Sequence, residues 1–351
     1  MSNLNSNLRI IPLESSEELG KKIIAEICKM RGISEEETLI EVQANIVRFA
    51  NGEGKAILED SVRLKDVYII ADVGNYGTSY KAHGRICEKS PDDIFQDLKR
   101  AVSATRGNAE RITVITPLLY ESRQDKRKGR ESLDCAIALQ ELERLGVDEI
   151  IVFDVHNPAV CNAIPMCSFE NVFPTNEIVK ILIEEENFNK DSLAVIAPDK
   201  GAIGRATYYS DKFGDCFYGF FNKIRDLDKL VDGKNPIIEH KYVGSNCEGK
   251  TVLIVDDMIA SGTSVLDVAE KMSSKNDRVF IVTTFALFTE GSKSFEEAYD
   301  KGYFTKVYTT NVSYVPEEIQ KMEWFEQVDC SKLIAKVIDN LNKKESLSGL
   351  Y

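Results

Sequence analysis

Thr251-Val-Leu-Ile-Val-Asp-Asp-Met-Ile-Ala-Ser-Gly-Thr-Ser264 is the stretch from which the fold is read. Thr251 to Val255 is a short apolar run rich in β-branched residues, the mark of a strand buried on both faces. The run stops at Asp256 and Asp257. Open α/β sheets hold ligands at the carboxyl ends of their strands, so two carboxylates there are placed to meet one. A small, flexible segment follows, Ala260-Ser261-Gly262-Thr263-Ser264, and then a helical face of Val265, Val268, Ala269 and Met272. Loop N–H groups and a helix N-terminus hold phosphate. The hydroxyls of Ser261, Thr263 and Ser264 add donors, and the carboxylates accept hydrogen bonds from ribose hydroxyls. The order of these groups suits a phosphorylated sugar; the plain alternative is a strand that ends in a solvated acidic turn.

Around this stretch the chain has 351 residues, enough for about two domains. A net charge of −13, from 44 basic and 57 acidic side chains, argues against a general nucleic-acid binder but leaves room for a local basic pocket. No run of ~18 apolar residues predicts a membrane span. The polar start lacks an apolar signal core, so a cytoplasmic enzyme with no membrane partner is expected. Eight cysteines without a C-x-x-C pair predict reduced thiols, no disulfide and no zinc site.

Taken in order, Leu8 to Pro12 reads as a strand. Ser15 with Glu18 reads as a capping box for a helix ending at Gly32. Leu39 to Phe49 reads as a strand, Asn51 to Gly54 as a turn, and Ala56 to Leu58 and Val67 to Ile70 as further strands. Gly74 to Lys89 has no period and reads as a loop or insertion. Ser90-Pro91-Asp92-Asp93 starts a helix. Strands at Ile112–Thr116, Ile150–Phe153, Leu193–Ala197, Cys216–Phe221, Val279–Thr283 and Lys306–Tyr308 then alternate with helices at Ser132–Leu145, Asn176–Glu186, Gly204–Phe213 and Ser331–Leu341. Asp226 to Gly249 is expected to hold a mobile loop, and the tail Ser346 to Tyr351 is expected to fray. This βα alternation implies parallel sheets with helices on both faces.

Two further strand ends carry acids: Phe153-Asp154-Val155-His156 and Ala197-Pro198-Asp199-Lys200-Gly201. In one parallel sheet these ends and Asp256-Asp257 would share a rim. His156 is one of three histidines; its place after a buried strand and an acid favours function over a structural role. Asp199 heads a glycine-containing turn into Gly204-Arg205 and a helix, a cradle for pyrophosphate or a metal–phosphate group. Mg²⁺ prefers a few carboxylates plus substrate phosphates and water, which fits this ligand supply. The run Ser122-Arg123-Gln124-Asp125-Lys126-Arg127-Lys128-Gly129-Arg130 is either a solvated charged loop or, at a strand's carboxyl end, a clamp for phosphate and a base edge. Gly244 to Thr251 formally satisfies the P-loop pattern, but it precedes a strand where a true P-loop follows one and opens a helix.

The stretch Val255 to Ser264 resembles the ribose-5-phosphate loop of the phosphoribosyltransferase fold. From about Arg9 to about Leu341 the chain resembles the ribose-phosphate pyrophosphokinases. Arg48-Phe49-Ala50-Asn51-Gly52-Glu53 is similar to that family's loop reaching ATP on a neighbouring subunit. Arg123-Gln124-Asp125 is similar to its ATP-binding Arg-Gln-Asp, and Asp154-Val155-His156 to the Asp-Leu-His that helps hold Mg-ATP. Pro198-Asp199-Lys200-Gly201-Ala202 is similar to its pyrophosphate loop, and Lys223-Ile224-Arg225 to the Lys-Arg-Arg of its flexible catalytic loop. Ala202, Ile224 and Ala260 depart from the usual glycine, arginine and aspartate.

The resemblance implies an α/β protein of two phosphoribosyltransferase-like domains, each a mostly parallel sheet flanked by helices. An ATP-side domain is expected at 1–165, with a helix near 331–345 packed on it, and a ribose-5-phosphate domain at 166–330. It implies transfer of the β,γ-diphosphate of ATP to the anomeric hydroxyl of ribose 5-phosphate, feeding nucleotide biosynthesis. Phe49, Asn51, Glu53, Arg123, Gln124, Asp125 and His156 are expected at ATP. Asp256, Asp257, Ser261, Gly262, Thr263 and Ser264 are expected at ribose 5-phosphate. His156 and Asp199, on neighbouring strands, are expected to meet around Mg²⁺, with Lys223 and Arg225 closing over the transferring group. A homo-oligomer, a hexamer built from dimers, is implied. Two alternatives remain: a phosphoribosyltransferase, which needs no ATP site, and a catalytically silent regulatory homologue.

Overall fold

The computed structural model describes residues 7–34, 40–188, 190–225 and 237–351; the side chains of 223–225 and 237–239 lie outside the description. The chain divides into two compact units. One runs up to Pro174 and also takes Asn311–Tyr314 and Asp329–Tyr351; the other is Thr175–Thr310 with Val315–Val328. Among the described residues, no helix is long and apolar enough to cross a membrane.

The first unit contains β1 (Leu8–Pro12), α1 (Glu17–Arg31), β2 (Ala44–Arg48), β3 (Gly54–Leu58), β4 (Asp66–Ile70), β5 (Ser79–Ala82), β6 (Arg85–Glu88), α2 (Pro91–Thr105), β7 (Arg111–Ile115), α3 (Asp134–Leu145), β8 (Glu149–Phe153) and β9 (Ser168–Val172). Its main sheet has the order β1-β4-β7-β8-β9, and every pair is parallel. The strands are apolar runs because both faces are covered. Val67, Ile69, Val114, Ile150 and Val152 pack with Leu98 and Val102 of α2 and Leu139 and Leu142 of α3. Each such side chain contributes about 1.5–3 kcal/mol on burial. Ser90 and Asp93 cap α2 reciprocally, with Asp93 N–H donating to Ser90 Oγ at 3.2 Å and Ser90 N–H to Asp93 Oδ2 at 3.1 Å.

The second unit contains α4 (Thr175–Glu186), β10 (Leu193–Ala197), α5 (Ile203–Lys212), β11 (Phe217–Arg225), β12 (Ile237–Gly244), β13 (Thr251–Ile259), α6 (Thr263–Ser273), β14 (Val279–Ala286), α7 (Lys293–Asp300), β15 (Lys306–Thr310), α8 (Glu317–Gln320) and β16 (Phe325–Val328). Its sheet has the order β12-β11-β10-β13-β14-β15-β16. All pairs are parallel except β11 with β12. Ile196, Ile254 and Ile281 of the sheet pack with Val268, Phe295 and Trp324. After β16 the chain returns to the first unit as α9 (Ser331–Lys343). There the buried Arg31–Asp339 ion pair, 2.7 Å long, joins α9 to α1.

Several expectations are corrected. Ser15 does not cap α1: its hydroxyl accepts from Asp72 N–H at 3.2 Å, and α1 starts only after a 3₁₀ turn at Glu14–Ser16. The strand expected at Leu39–Phe49 begins at Ala44; Leu39 lies outside the described residues. Gly74 to Lys89 is not a loop but contains the β5–β6 hairpin. Its two-residue turn places His83 at φ 51° and Gly84 at φ 73°, the left-handed pair that a tight hairpin demands. β9, which the boundary at 165 would give to the second domain, is the edge strand of the first sheet. The strand carrying the acid pair does not stop at Val255, because Met258 and Ile259 still pair with Phe285 and Ala286 of β14. The tail does not fray: Asn340 Nδ2 donates to Ser346 O at 2.9 Å, and Tyr351 OH bonds to Glu170. Of the loop expected at Asp226–Gly249, residues 226–236 lie outside the description and Ile237–Gly244 is a strand.

Candidate active site

In the second unit, β13 brings Asp256 and Asp257 to the sheet rim. Asp256 Oδ1 accepts Asp257 N–H at 2.9 Å, and Asp257 Oδ1 accepts Met258 N–H at 2.8 Å. Burial pushes the Asp256 carboxyl well above its usual range; the charge of Asp257 adds to this, and Arg205 opposes it. The turn that follows needs its glycine. Gly262 sits at φ 77°, and a Cβ there would meet the Phe295 ring at 2.2 Å. That ring cannot yield, since it is wedged against Phe288, Phe304 and Trp324. Ser261 and Thr263 pair their hydroxyls at 3.1 Å. Gly262 caps α6 without a side chain, so the helix presents its first-turn N–H groups to a ligand.

β10 is the parallel neighbour of β13, so the Asp199 turn opens on the same rim. Asp199 Oδ1 accepts Gly201 N–H at 2.8 Å and Ala202 N–H at 3.3 Å, a side-chain-closed turn that leads into α5. The sheet thus gathers Asp199, Arg205, Asp256, Asp257 and the Ser261–Ser264 turn. The role of Arg205 toward Asp256 was not foreseen; only its place at the start of a helix after Asp199 hinted at it.

Lys223 and Arg225 were expected in a flexible loop. Their backbone instead continues β11, with Lys223 opposite His240 and Arg225 opposite Ile237 across a register shift. Their side chains lie outside the description.

In the first unit, the carboxyl ends of β7 and β8 lie side by side. Phe153 N–H donates to Pro117 O at 2.9 Å, and the chain then turns through Asp154 at φ 38°. His156, on this turn, is exposed. Asn157 Nδ2 donates to Asp125 Oδ2 at 2.5 Å, so the Asp-Val-His and Arg-Gln-Asp segments are tied together. Burial pushes the Asp125 carboxyl up, but the Asn157 bond and Lys126 outweigh it and leave it below its usual value. Gln124 Oε1 is buried without a hydrogen-bond partner among the described residues, an orphan acceptor that a ligand N–H would satisfy. Arg123 beside it is exposed. Asn157 was not singled out from sequence, although it follows His156 directly.

Phe49, Asn51 and Glu53 occupy the tip of the β2–β3 hairpin, a separate two-stranded sheet. Asn51 Nδ2 donates to Glu53 Oε2 at 2.8 Å, and Phe49 is 48% exposed. Arg48 anchors the hairpin to α2 through both oxygens of Asp97 at 2.8 Å.

One expectation about the rims fails. β8 belongs to the first sheet and β10 to the second, so His156 and Asp199 do not end neighbouring strands and the three acid-bearing ends do not share one sheet. The reason is β9: the chain closes the first sheet with it and begins a new sheet at β10. The P-loop-like segment is also settled locally. It joins β12 to β13, and Lys250 Nζ donates to Asp191 O at 2.7 Å and lies 5.0 Å from the Tyr218 ring centroid.

Residues 8–146 match the family described as the N-terminal domain of ribose phosphate pyrophosphokinase. Residues 173–321 match the phosphoribosyl transferase domain. The ribose-phosphate pyrophosphokinase of Mycoplasma genitalium is 27% identical over 94% of this chain and 91% of its own length. That of Bacillus subtilis is 23% identical over 99% of this chain and 98% of its own. The crystal structure of phosphoribosylpyrophosphate synthetase from Mycobacterium smegmatis superposes with a TM-score of 0.76 at 20% identity, covering 96% of this chain and 99% of that one. This likeness establishes the fold.

Proposed function

The chain belongs to the ribose-phosphate pyrophosphokinase family, and from that premise we propose how its residues divide the work. The reaction transfers the β,γ-diphosphate of ATP to the anomeric hydroxyl of ribose 5-phosphate, releasing AMP and supplying nucleotide biosynthesis. The observation that carries the assignment is the rim of the second sheet, where the Asp256–Asp257 pair, the Gly262 turn and the Asp199 turn end adjacent parallel strands.

The turn of Ser261, Gly262, Thr263 and Ser264 holds the 5-phosphate through backbone N–H groups and hydroxyls, while Asp256 and Asp257 accept from the ribose hydroxyls. Arg123 takes ATP phosphate, Gln124 Oε1 accepts from an adenine N–H, and Asp125 with Asn157 fixes the segment that presents His156. Lys223 and Arg225 neutralise charge on the group in flight. Such transfers are catalysed mainly by positioning and charge neutralisation.

Mg²⁺ fits the donors of this rim. Asp199, beside the charge-crowded Asp256, offers hard oxygen ligands, which Mg²⁺ supplements with substrate phosphates and water. Asp199 would hold the ion in the second unit and His156 would hold a metal–phosphate group in the first, and the ion would supply charge neutralisation on the diphosphate. The exposed Phe49 at the β2–β3 tip supports a homo-oligomer in which this hairpin reaches the ATP of a neighbouring subunit; a hexamer of dimers is the proposed assembly, and the cytoplasm the proposed location.

The test is direct: purified protein, Mg²⁺, ATP and ribose 5-phosphate should yield AMP and phosphoribosyl pyrophosphate. AMP should not form without the sugar phosphate. ATP left intact with both substrates present would sink the enzyme and favour the silent homologue.

A further inference from the structure

His240 sits at a junction of the second unit. Its side chain is 5% exposed. Nδ1 bonds to the Asp267 carboxylate on α6, and Nε2 lies 3.1 Å from the carbonyl oxygen of Pro198, one residue before Asp199. Asp267 is itself held by Lys271 Nζ at 2.6 Å. The Phe221 ring packs edge-on against the imidazole, with centroids 4.9 Å apart. Both bonding partners offer acceptor oxygens to the ring nitrogens, and the tautomer sets which nitrogen donates. The bonds link three pieces that are far apart in sequence: the Asp199 turn after β10, the helix that begins at the Gly262 turn, and β12. On β12, His240 stands directly opposite Lys223 of β11.

We propose that His240 is a positioning residue for diphosphate transfer: its ring clasps the Pro198 carbonyl to Asp267, and so fixes the strand position opposite Lys223 against the Asp199 turn and α6. The inference rests on the roles proposed above for Asp199 and Lys223. A strand pair at a sheet edge, such as β11–β12, has few neighbours to set its approach to the rim. The ring contacts to the Asp267 carboxylate and to Pro198 O set it here. Misplacing a reacting group by about 1 Å costs on the order of 10²-fold in rate, so a clasp remote from the substrate is felt at the chemistry.

Two conservative variants divide the clasp. His240→Gln places its amide nitrogen near the Nε2 position and retains the bond to Pro198 O. His240→Asn places its nitrogen near Nδ1, retains the bond to Asp267 and loses Pro198. Steady-state kinetics with Mg-ATP and ribose 5-phosphate, together with thermal melting and hydrogen exchange of the peptide covering 196–204, should be measured for both and for His240→Ala. The clasp needs both bonds, so all three variants should be down at least ~10-fold in kcat, with exchange in 196–204 faster in His240→Asn and His240→Ala, which lose Pro198, than in His240→Gln. Exchange in 196–204 that rises equally in the Gln and Asn variants would reduce the residue to packing, and unaltered kinetics in either would remove the clasp from the mechanism; either result overturns the proposal. If His240→Ala does not fold, the Gln and Asn pair decides alone. Absence of AMP with the unaltered protein defeats the parent function instead, and the exchange measurement then still tests the clasp.

Discussion

Asp125 and Asp256 are both aspartates at the carboxyl rim of a parallel sheet, and burial pushes both carboxyls upward. They nevertheless end on opposite sides of the usual value. In the first unit the Asn157 hydrogen bond and Lys126 win, and Asp125 stays a settled anion. In the second, Asp257 adds its charge to the burial and Arg205 only partly answers it, so Asp256 is left under tension. The same layered architecture therefore supplies two chemistries. One rim is internally neutralised and leaves Arg123 and His156 exposed beside the buried Gln124 Oε1, the groups proposed above for the nucleotide. The other holds the crowded Asp256–Asp257 pair beside an α6 N-terminus, the groups proposed above for a cation and a sugar phosphate. Strand order decides where ligands sit; the neighbours of each carboxylate decide which ligands they are.

The largest effect should come from removing the cations proposed to act on the second rim. Lys223→Ala and Arg225→Ala should each lower kcat at least ~10²-fold, as transition-state cations do, with thermal stability nearly unchanged. ATP binding measured by calorimetry should also survive. A loss below about threefold in both variants would place the catalytic cations elsewhere and leave the acid rim without its counter-charge.

Asp72 breaks the pattern of settled charge in the first unit. It is buried, and burial pushes its carboxyl up to about 6 despite bonds from Tyr314 N–H, Ser313 Oγ and Gly74 N–H. A carboxyl raised in the folded state gives stability that is full below about pH 4 and is lost as pH rises through about 6. Asp72→Asn removes that titration. Its stability relative to the unaltered protein should therefore rise between pH 4 and pH 7 by about 3 kcal/mol, for a shift of about two units at 1.36 kcal/mol each. Denaturant melts at the two pH values measure this, and a pH-independent difference would show that the three donors already neutralise the charge.

A smaller break concerns how the first rim is held. Asn157→Ala releases Asp125 and should raise the KM for ATP about tenfold, the order of one charged hydrogen bond, with the KM for ribose 5-phosphate unchanged. His156→Ala should raise the Mg²⁺ requirement while the fold stays intact. Normal kinetics in His156→Ala would return that histidine to a structural role and leave Asp199 as the proposed protein ligand.

These contrasts were unequally legible in the sequence. Leu8–Pro12 and Leu193–Ala197 were read to the residue, because strands covered on both faces must be continuous apolar runs. The Gly262 turn was legible because acids, hydroxyls and glycine occur in sequence order. What escaped lacked local signal. Ser79–Ala82 and Arg85–Glu88 are largely exposed and polar, and Ser168–Val172 is a partly exposed edge strand. The break between the sheets was expected at 165/166, one strand too early, for the same reason: β9 pairs with β8 and closes the first sheet. The His240 clasp joins residues 42 and 27 positions apart, a pairing that no period or motif encodes.

The smallest effect separates the Gly262 turn from its imitation. Gly244 to Thr251 has the glycines, lysine and threonine of a phosphate loop, and residue type alone would rank it above Ala260 to Ser264. Position reverses the ranking. Lys250 immediately precedes β13, whereas Asp256 and Asp257 lie toward the far end of the same strand, so ligands at the carboxyl rim are a strand length away. No helix starts after Lys250, and there is no helix dipole to share with a phosphate. Its ammonium already donates to Asp191 O and lies by the Tyr218 ring. These partly exposed contacts are worth about 1 kcal/mol or less. Lys250→Met keeps the apolar stem, so Tm should shift by only a few degrees, and kcat and both KM values should stay within about twofold. A tenfold rise in either KM would mean that phosphate is held at the amino end of β13, and the contrast between the rims would have to be redrawn around that end.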